Sequence, residues 1–186
     1  MTTKPKVINF YGGPGSGKST TAAATFAELK YRGINSELIQ EYAKDATWEK
    51  RGEKVFAAQD YIFGKQHFRI ARVADQVRFT VTDSPILLSL VYTPDNFGLP
   101  SFHRVVKEAY SLYDNLDIFL VRNKVYEPAG RNQTEAEARI LDDRIRTVLD
   151  ICVGQPNYYV LPFSRINPKQ VLDIMFGNGW LETIPT

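Results

Sequence analysis

The chain is poor in the residues that define several functional classes. One cysteine, Cys152, in 186 residues excludes an internal disulfide framework and suits a reducing compartment. Its flanks, Leu149-Asp150-Ile151 and Val153, read it as a small buried apolar residue on a helix. The two histidines, His67 and His103, lie far apart without ligand-type neighbours and give no basis for a metal site of their own. No apolar run approaches the roughly 20 residues of a membrane span, and the N-terminus lacks a signal-peptide core, so the expected location is the cytoplasm. A net charge of +2 neither demands nor excludes a nucleic-acid partner, because a local basic patch matters more than the total. Repeats, low-complexity stretches and composition shifts are also missing. With 44% hydrophobic and 24% charged residues, the chain reads as one globular domain over 1–186.

What is present centres on Tyr11-Gly12-Gly13-Pro14-Gly15-Ser16-Gly17-Lys18-Ser19-Thr20. Glycine, four residues, then glycine, lysine and a hydroxyl is the spacing of a phosphate-binding loop. Glycines let successive backbone N–H groups converge on a phosphate, Lys18 reaches the outer phosphates, and Ser19 can ligate Mg²⁺. The context agrees: Val7-Ile8-Asn9-Phe10 reads as a buried strand, and Ser19 to Arg32 as a helix ending at Gly33. The helix N-terminus adds partial positive charge. Gly12 through Thr20 are therefore the expected nucleotide-binding residues.

Downstream, strands are expected at Ser36–Gln40, from Phe79 up to Asp83, at Leu116–Val121 and at Tyr158–Pro162, alternating with helices. That alternation implies a parallel sheet covered on both faces. Ligands gather at the carboxyl ends of such strands, which singles out Glu41 and Asp83. Glu41 is the first choice for a base that accepts a hydroxyl proton and Asp83 for the metal shell, with exchanged roles left open. Each also has a plainer role: Glu41 as a solvated carboxylate at a helix start, Asp83 as the cap of a helix beginning near Pro85. Glu53 to Val77 reads as helix interrupted at Gly64, with Val55, Phe56, Tyr61, Ile62, Phe63, Ile70 and Val73 as candidate core. Residues 122–146 are rich in charge and read as a lid, its helix capped by Thr134. Arg122 and Arg131 are candidates to contact nucleotide there, and Arg139, Arg144 and Arg146 follow. The plainer alternative is a solvated face with a Glu135–Arg139 pair.

No Asn/Thr-Lys-x-Asp segment is present to read guanine; Arg122-Asn123-Lys124-Val125 lacks the aspartate. The residues thus favour an ATP- and Mg²⁺-dependent phosphotransferase over a GTPase. A nucleotide-binding regulatory switch is the alternative of another class. The segment Tyr42 to Gln66 would form the acceptor pocket, with Trp48, Phe56, Tyr61 and Phe63 as stacking candidates.

Glu41-Tyr42-Ala43-Lys44-Asp45, Ile62-Phe63-Gly64-Lys65-Gln66, Val81-Thr82-Asp83-Ser84 and Gly130-Arg131-Asn132-Gln133-Thr134 together resemble the P-loop kinases of the ribosylnicotinamide-kinase type. The similarity runs from Val7 to about Leu149 and looks especially like small kinases of tailed bacteriophages. Some of those phosphorylate the hydroxymethyl group of 5-hydroxymethyluracil in viral DNA, a step towards hypermodified thymine. The resemblance implies an α/β P-loop fold with five parallel strands in the order 2-3-1-4-5, a catalytic set of Lys18, Glu41, Asp83, Arg122 and Arg131, and a nucleoside-like acceptor. If the chain is phage-encoded, its location is the host cytoplasm. The sequence departs from the usual Asp-Thr-Asp after the third strand, having Thr82-Asp83-Ser84. A DNA acceptor would call for a basic groove drawn from Lys44, Lys50, Arg51, Lys54, Lys65, Arg69 and Arg72; a free nucleoside, nucleotide or ribosylnicotinamide would be enclosed. Monomer and homodimer are equally open.

Overall fold

The computed structural model describes residues 4–123 and 134–182. Five strands, β1 (Lys6–Tyr11), β2 (Ser36–Ile39), β3 (Phe79–Thr82), β4 (Asp114–Val121) and β5 (Tyr159–Pro162), form one sheet in the order β2-β3-β1-β4-β5. All pairings are parallel, so every strand delivers its carboxyl end to the same edge. The order expected from the resemblance is the order observed.

Strand alternation divides the core in two. Ile8 and Phe10 point to the face covered by α1 (Lys18–Tyr31) and α8 (Asn167–Gly177), where Leu29, Leu172 and Met175 pack. Val7 and Tyr11 point to the opposite face, under α4 (Gln59–Ala74), α5 (Leu88–Tyr92), α6 (Phe102–Tyr110) and α7 (Glu135–Cys152), with Ile70, Leu87, Val106, Ile145 and Leu149. Two short helices, α2 (Tyr42–Trp48) and α3 (Glu53–Ala57), fill the passage from β2 to α4.

The expected helix over 53–77 is two helices, and the break falls at Ala58 (φ −84°, ψ 73°) while Gly64 sits inside α4. Gln59 stabilises the break by donating Nε2–H to Phe56 O at 2.6 Å, replacing a helical partner for that carbonyl. Of the expected core residues on this stretch, Phe63 and Ile70 are buried, whereas Tyr61 is 41% exposed and shares a hydroxyl–hydroxyl bond of 2.9 Å with Tyr42. Cys152 does lie on a helix, as the last residue of α7, but is half-buried.

One charged group lies inside the sheet layer. Asp117 in β4 is 1% exposed and accepts hydrogen bonds from Tyr110 Oη and from Asn9 Nδ2, the latter at 3.0 Å. Burial pushes its carboxyl up to about 6, against those hydrogen bonds. Because the folded carboxyl holds its proton more tightly than the unfolded one, this group favours folding fully below about pH 4 and loses that contribution as pH rises through about 6. Asp117→Asn removes the dependence. Its unfolding free energy relative to the native chain should therefore improve by about 1–3 kcal/mol between pH 4 and pH 7; urea titrations giving a constant difference over that range would show that burial does not control Asp117.

Candidate active site

The loop from Gly12 to Gly17 joins β1 to α1 at the carboxyl edge of the sheet. It is held on both sides. A Cβ on Gly12 would lie 2.5 Å from Ser16 Oγ and 3.0 Å from Leu120 O. Gly17 has φ +106°, and a Cβ there would lie 2.1 Å from the ring of Phe163, the residue that follows β5. Only glycine fits both the backbone conformation and the space. Lys18 folds back over the loop, its Nζ donating to Gly12 O at 2.6 Å and Gly13 O at 3.1 Å. Burial lowers the pKa of its ammonium, while Glu41, Asp83 and Asp142 oppose that shift by their charge.

Glu41 is the N-cap residue of α2, yet its side chain makes no capping bond. The Tyr42 N–H goes to Gln66 Oε1 at 2.9 Å, and the charges of Glu41 and Lys18 act on each other. Burial pushes that carboxyl above its usual value and Asp83 adds to the shift; Lys18 and Lys44 offset part of it. Asp83 follows β3, is 4% exposed, and its Oδ1 is buried without a hydrogen-bond partner among the described residues. It does not cap the next helix: α5 begins at Leu88, and the Ser84 N–H goes to Thr82 Oγ1 at 3.0 Å. Asp83 is thereby not committed to capping α5.

A cavity of about 900 Å³ opens over these groups. Its floor is the phosphate loop with Lys18, Ser19, Thr20 and Glu41; its walls come from Ala43, Lys44, Thr47, Lys50, Phe56, Gln59, Ile62, Gln66, Leu88 and Tyr92. The stretch from Tyr42 to Gln66 does line a pocket beside the loop. Among the aromatics considered for stacking, Phe56 reaches the cavity, Phe63 belongs to the core, and Trp48 at the end of α2 is 64% exposed. Gln66 is 4% exposed, and its Nε2 is buried without a partner among the described residues.

Arg122 lies at the loop, donating to Pro14 O at 2.7 Å and pairing with Asp142 at 3.0 Å. Asp142 also accepts the Gly13 N–H at 2.5 Å. Arg131 falls outside the described residues. Thr134 caps α7 as expected, through a capping box with Glu137. Arg139 pairs with Glu135 at 2.7 Å on an exposed face, and Arg146 lies over the Phe119 ring at 5.7 Å. These positions match the plainer reading of the later arginines as a helix face.

The profile of a family described as an AAA domain matches residues 7–161. The chain belongs to that AAA-domain family. No curated protein sequence matches it. Among solved structures, the AAA-domain chain is similar in fold to the deoxyadenosine kinase of M. mycoides, solved with products dCMP and a flexible dCDP, at 15% identity and TM-score 0.58, covering 92% of this chain and 99% of that one. It is also similar to a mutant of the APS kinase of Mycobacterium tuberculosis, at 15% identity and TM-score 0.51, covering 98% and 100%. The AAA-domain protein thus has the P-loop fold seen in these kinases. Among its described residues no helix is long and apolar enough to cross a membrane.

Sequence reasoning overlooked Asp142 and Tyr92. Asp142 could have been found as a carboxylate within the buried stripe Ala138, Ile145, Leu149 of α7. Tyr92 ends α5 and lines the cavity.

Gly17→Ala should lower stability by about 1–3 kcal/mol through backbone strain and collision with Phe163, read as a fall in Tm. Adding Phe163→Ala should recover only part of it, because the positive φ persists. Full recovery would make the ring contact the sole cause.

Proposed function

We propose that the protein transfers the γ-phosphate of ATP to a hydroxyl of a nucleoside-like acceptor. The observation that carries this reading is a cavity large enough for a nucleoside beside the phosphate loop, lined by Lys18, Ser19 and Glu41, with the Asp83 carboxylate acting on Lys18 and Glu41 by its charge. The acceptor oxygen attacks the γ-phosphorus, the bond to the β,γ-bridging oxygen breaks, ADP leaves, and the hydroxyl proton passes to the Glu41 carboxylate. Lys18 neutralises charge on the transferring group. Burial raises the basicity of Glu41 towards the working pH, which strengthens it as a base.

The orphaned Asp83 Oδ1 and the exposed Ser19 hydroxyl fit a Mg²⁺ ion. Mg²⁺ is bound by few carboxylates together with substrate phosphates. When bound, Mg²⁺ supplies neutralising charge to those phosphates.

Within this class, the 5-hydroxymethyl group of 5-hydroxymethyl-deoxyuridine in phage DNA is the most specific acceptor we propose. Lys44 and Lys50 at the cavity and the exposed Trp48 near its mouth support it: cations for phosphates and an aromatic surface for a neighbouring base. Arg51 and Arg69 are less available, being paired with Glu49 and Asp45.

γ-Labelled ATP incubated with the protein and either hydroxymethylated DNA or a panel of free nucleosides, nucleotides and ribosylnicotinamide should place label on the acceptor. Label confined to ATP and inorganic phosphate throughout would end the kinase reading. Transfer to DNA should fall steeply with salt; transfer only to free nucleosides would move the acceptor away from DNA. Glu41→Gln should reduce kcat by about 10²–10⁴-fold while ATP binding is kept. In the native chain kcat/KM should fall at acid pH, with a midpoint above the ordinary carboxylate range because the base is lost on protonation. A Glu41→Gln variant retaining turnover and that acid limb would remove Glu41 as the base.

A further inference from the structure

The side chain nearest to controlling Lys18 is on another element. Ala138 and Asp142, one turn apart on α7, rest against the first half of the phosphate loop: a Cβ on Gly13 would meet Ala138 O at 2.5 Å and Asp142 Oδ1 at 2.7 Å. Asp142 accepts the Gly13 N–H, and Arg122 bridges Asp142 to Pro14 O. The Gly13 N–H belongs to the same peptide plane as Gly12 C=O, and in a trans peptide the two point in opposite directions. With the N–H turned to Asp142, the carbonyl is turned the other way, where it receives Lys18 Nζ at 2.6 Å. A peptide flanked by two glycines reorients at low cost unless something fixes it.

We propose that Asp142, supported by Arg122, is a positioning residue: through the Gly12–Gly13 peptide it sets the place from which the Lys18 ammonium meets the outer phosphates of ATP. This rests on the ATP-binding part of the function proposed above. The carboxylate does not itself touch nucleotide, and the adjacent guanidinium neutralises a charge that would otherwise oppose a triphosphate.

ATP affinity, measured without any acceptor by calorimetry or a fluorescent analogue, tests this in the full chain. Failure of phosphotransfer would leave that readout intact, so the two ideas fail separately. Asp142→Ala should weaken ATP binding on the order of tenfold, the scale of one charge-assisted hydrogen bond, whereas Asp142→Ala in a Lys18→Ala background should bind no more weakly than Lys18→Ala alone. A purely structural role for Asp142 would lower Tm and weaken binding equally in both backgrounds. Asp142→Asn, nearly isosteric, serves if the alanine variant does not fold. Its amide keeps an oxygen for Gly13 but sets an N–H against Arg122, and it should fall between native and alanine affinity. ATP binding within twofold of native for both variants, or a loss undiminished without Lys18, overturns the proposal.

Discussion

Parallel pairing of β1 between β3 and β4 is the constraint on which the site depends. Because all the strands run one way, the residues that follow them collect along one edge: Gly12 after β1, Asp83 after β3, Arg122 after β4 and Phe163 after β5, with Glu41 two residues past β2. These positions span more than 150 residues of chain, and only the sheet makes them neighbours. The register reinforces this, pairing Ile39 and Asn9 with the same Thr82, one residue before Asp83. Any slip would move the carboxylates away from the lysine and also turn buried faces outwards.

The second constraint is that the phosphate loop has little repeating hydrogen-bonded structure of its own. Its shape is imposed from outside by Phe163 against Gly17, Leu120 O against Gly12, and the Asp142–Arg122 pair against Gly13 and Pro14. A glycine-rich loop held this way keeps its backbone donors available without side chains filling the space they surround. The same logic governs Glu41. Gln66 takes the Tyr42 N–H and Glu41, the N-cap residue of α2, makes no capping bond, so its carboxylate is not tied to the helix end.

Much of the fold was legible in the sequence because its signals are local. The glycine–lysine–serine spacing, the β-branched run ending at Asp83, and the Thr134 cap each depend on residues close in sequence, and each element formed where expected within a few residues. The helix break at Ala58 was not legible. Gly64 is the weaker helix former, but exposed on α4 it loses no contact, whereas Gln59 reaches back to Phe56 O and makes the earlier break favourable. Likewise Asp83 had two local readings, and burial together with the late start of α5 separated them.

The sequence by itself determined that a phosphate loop joins a buried strand to a helix, that carboxylates end the second and third strands, and that basic residues follow the fourth. It could do so because turn chemistry and periodicity are properties of short segments. Tertiary structure alone decided that Arg122 joins Pro14 O to Asp142, that Asp142 rather than its neighbour Asp143 meets the loop, and that Gln66 takes the Tyr42 N–H. Those outcomes depend on which face of α7 and α4 meets which turn of the chain, and helix packing over the sheet sets that.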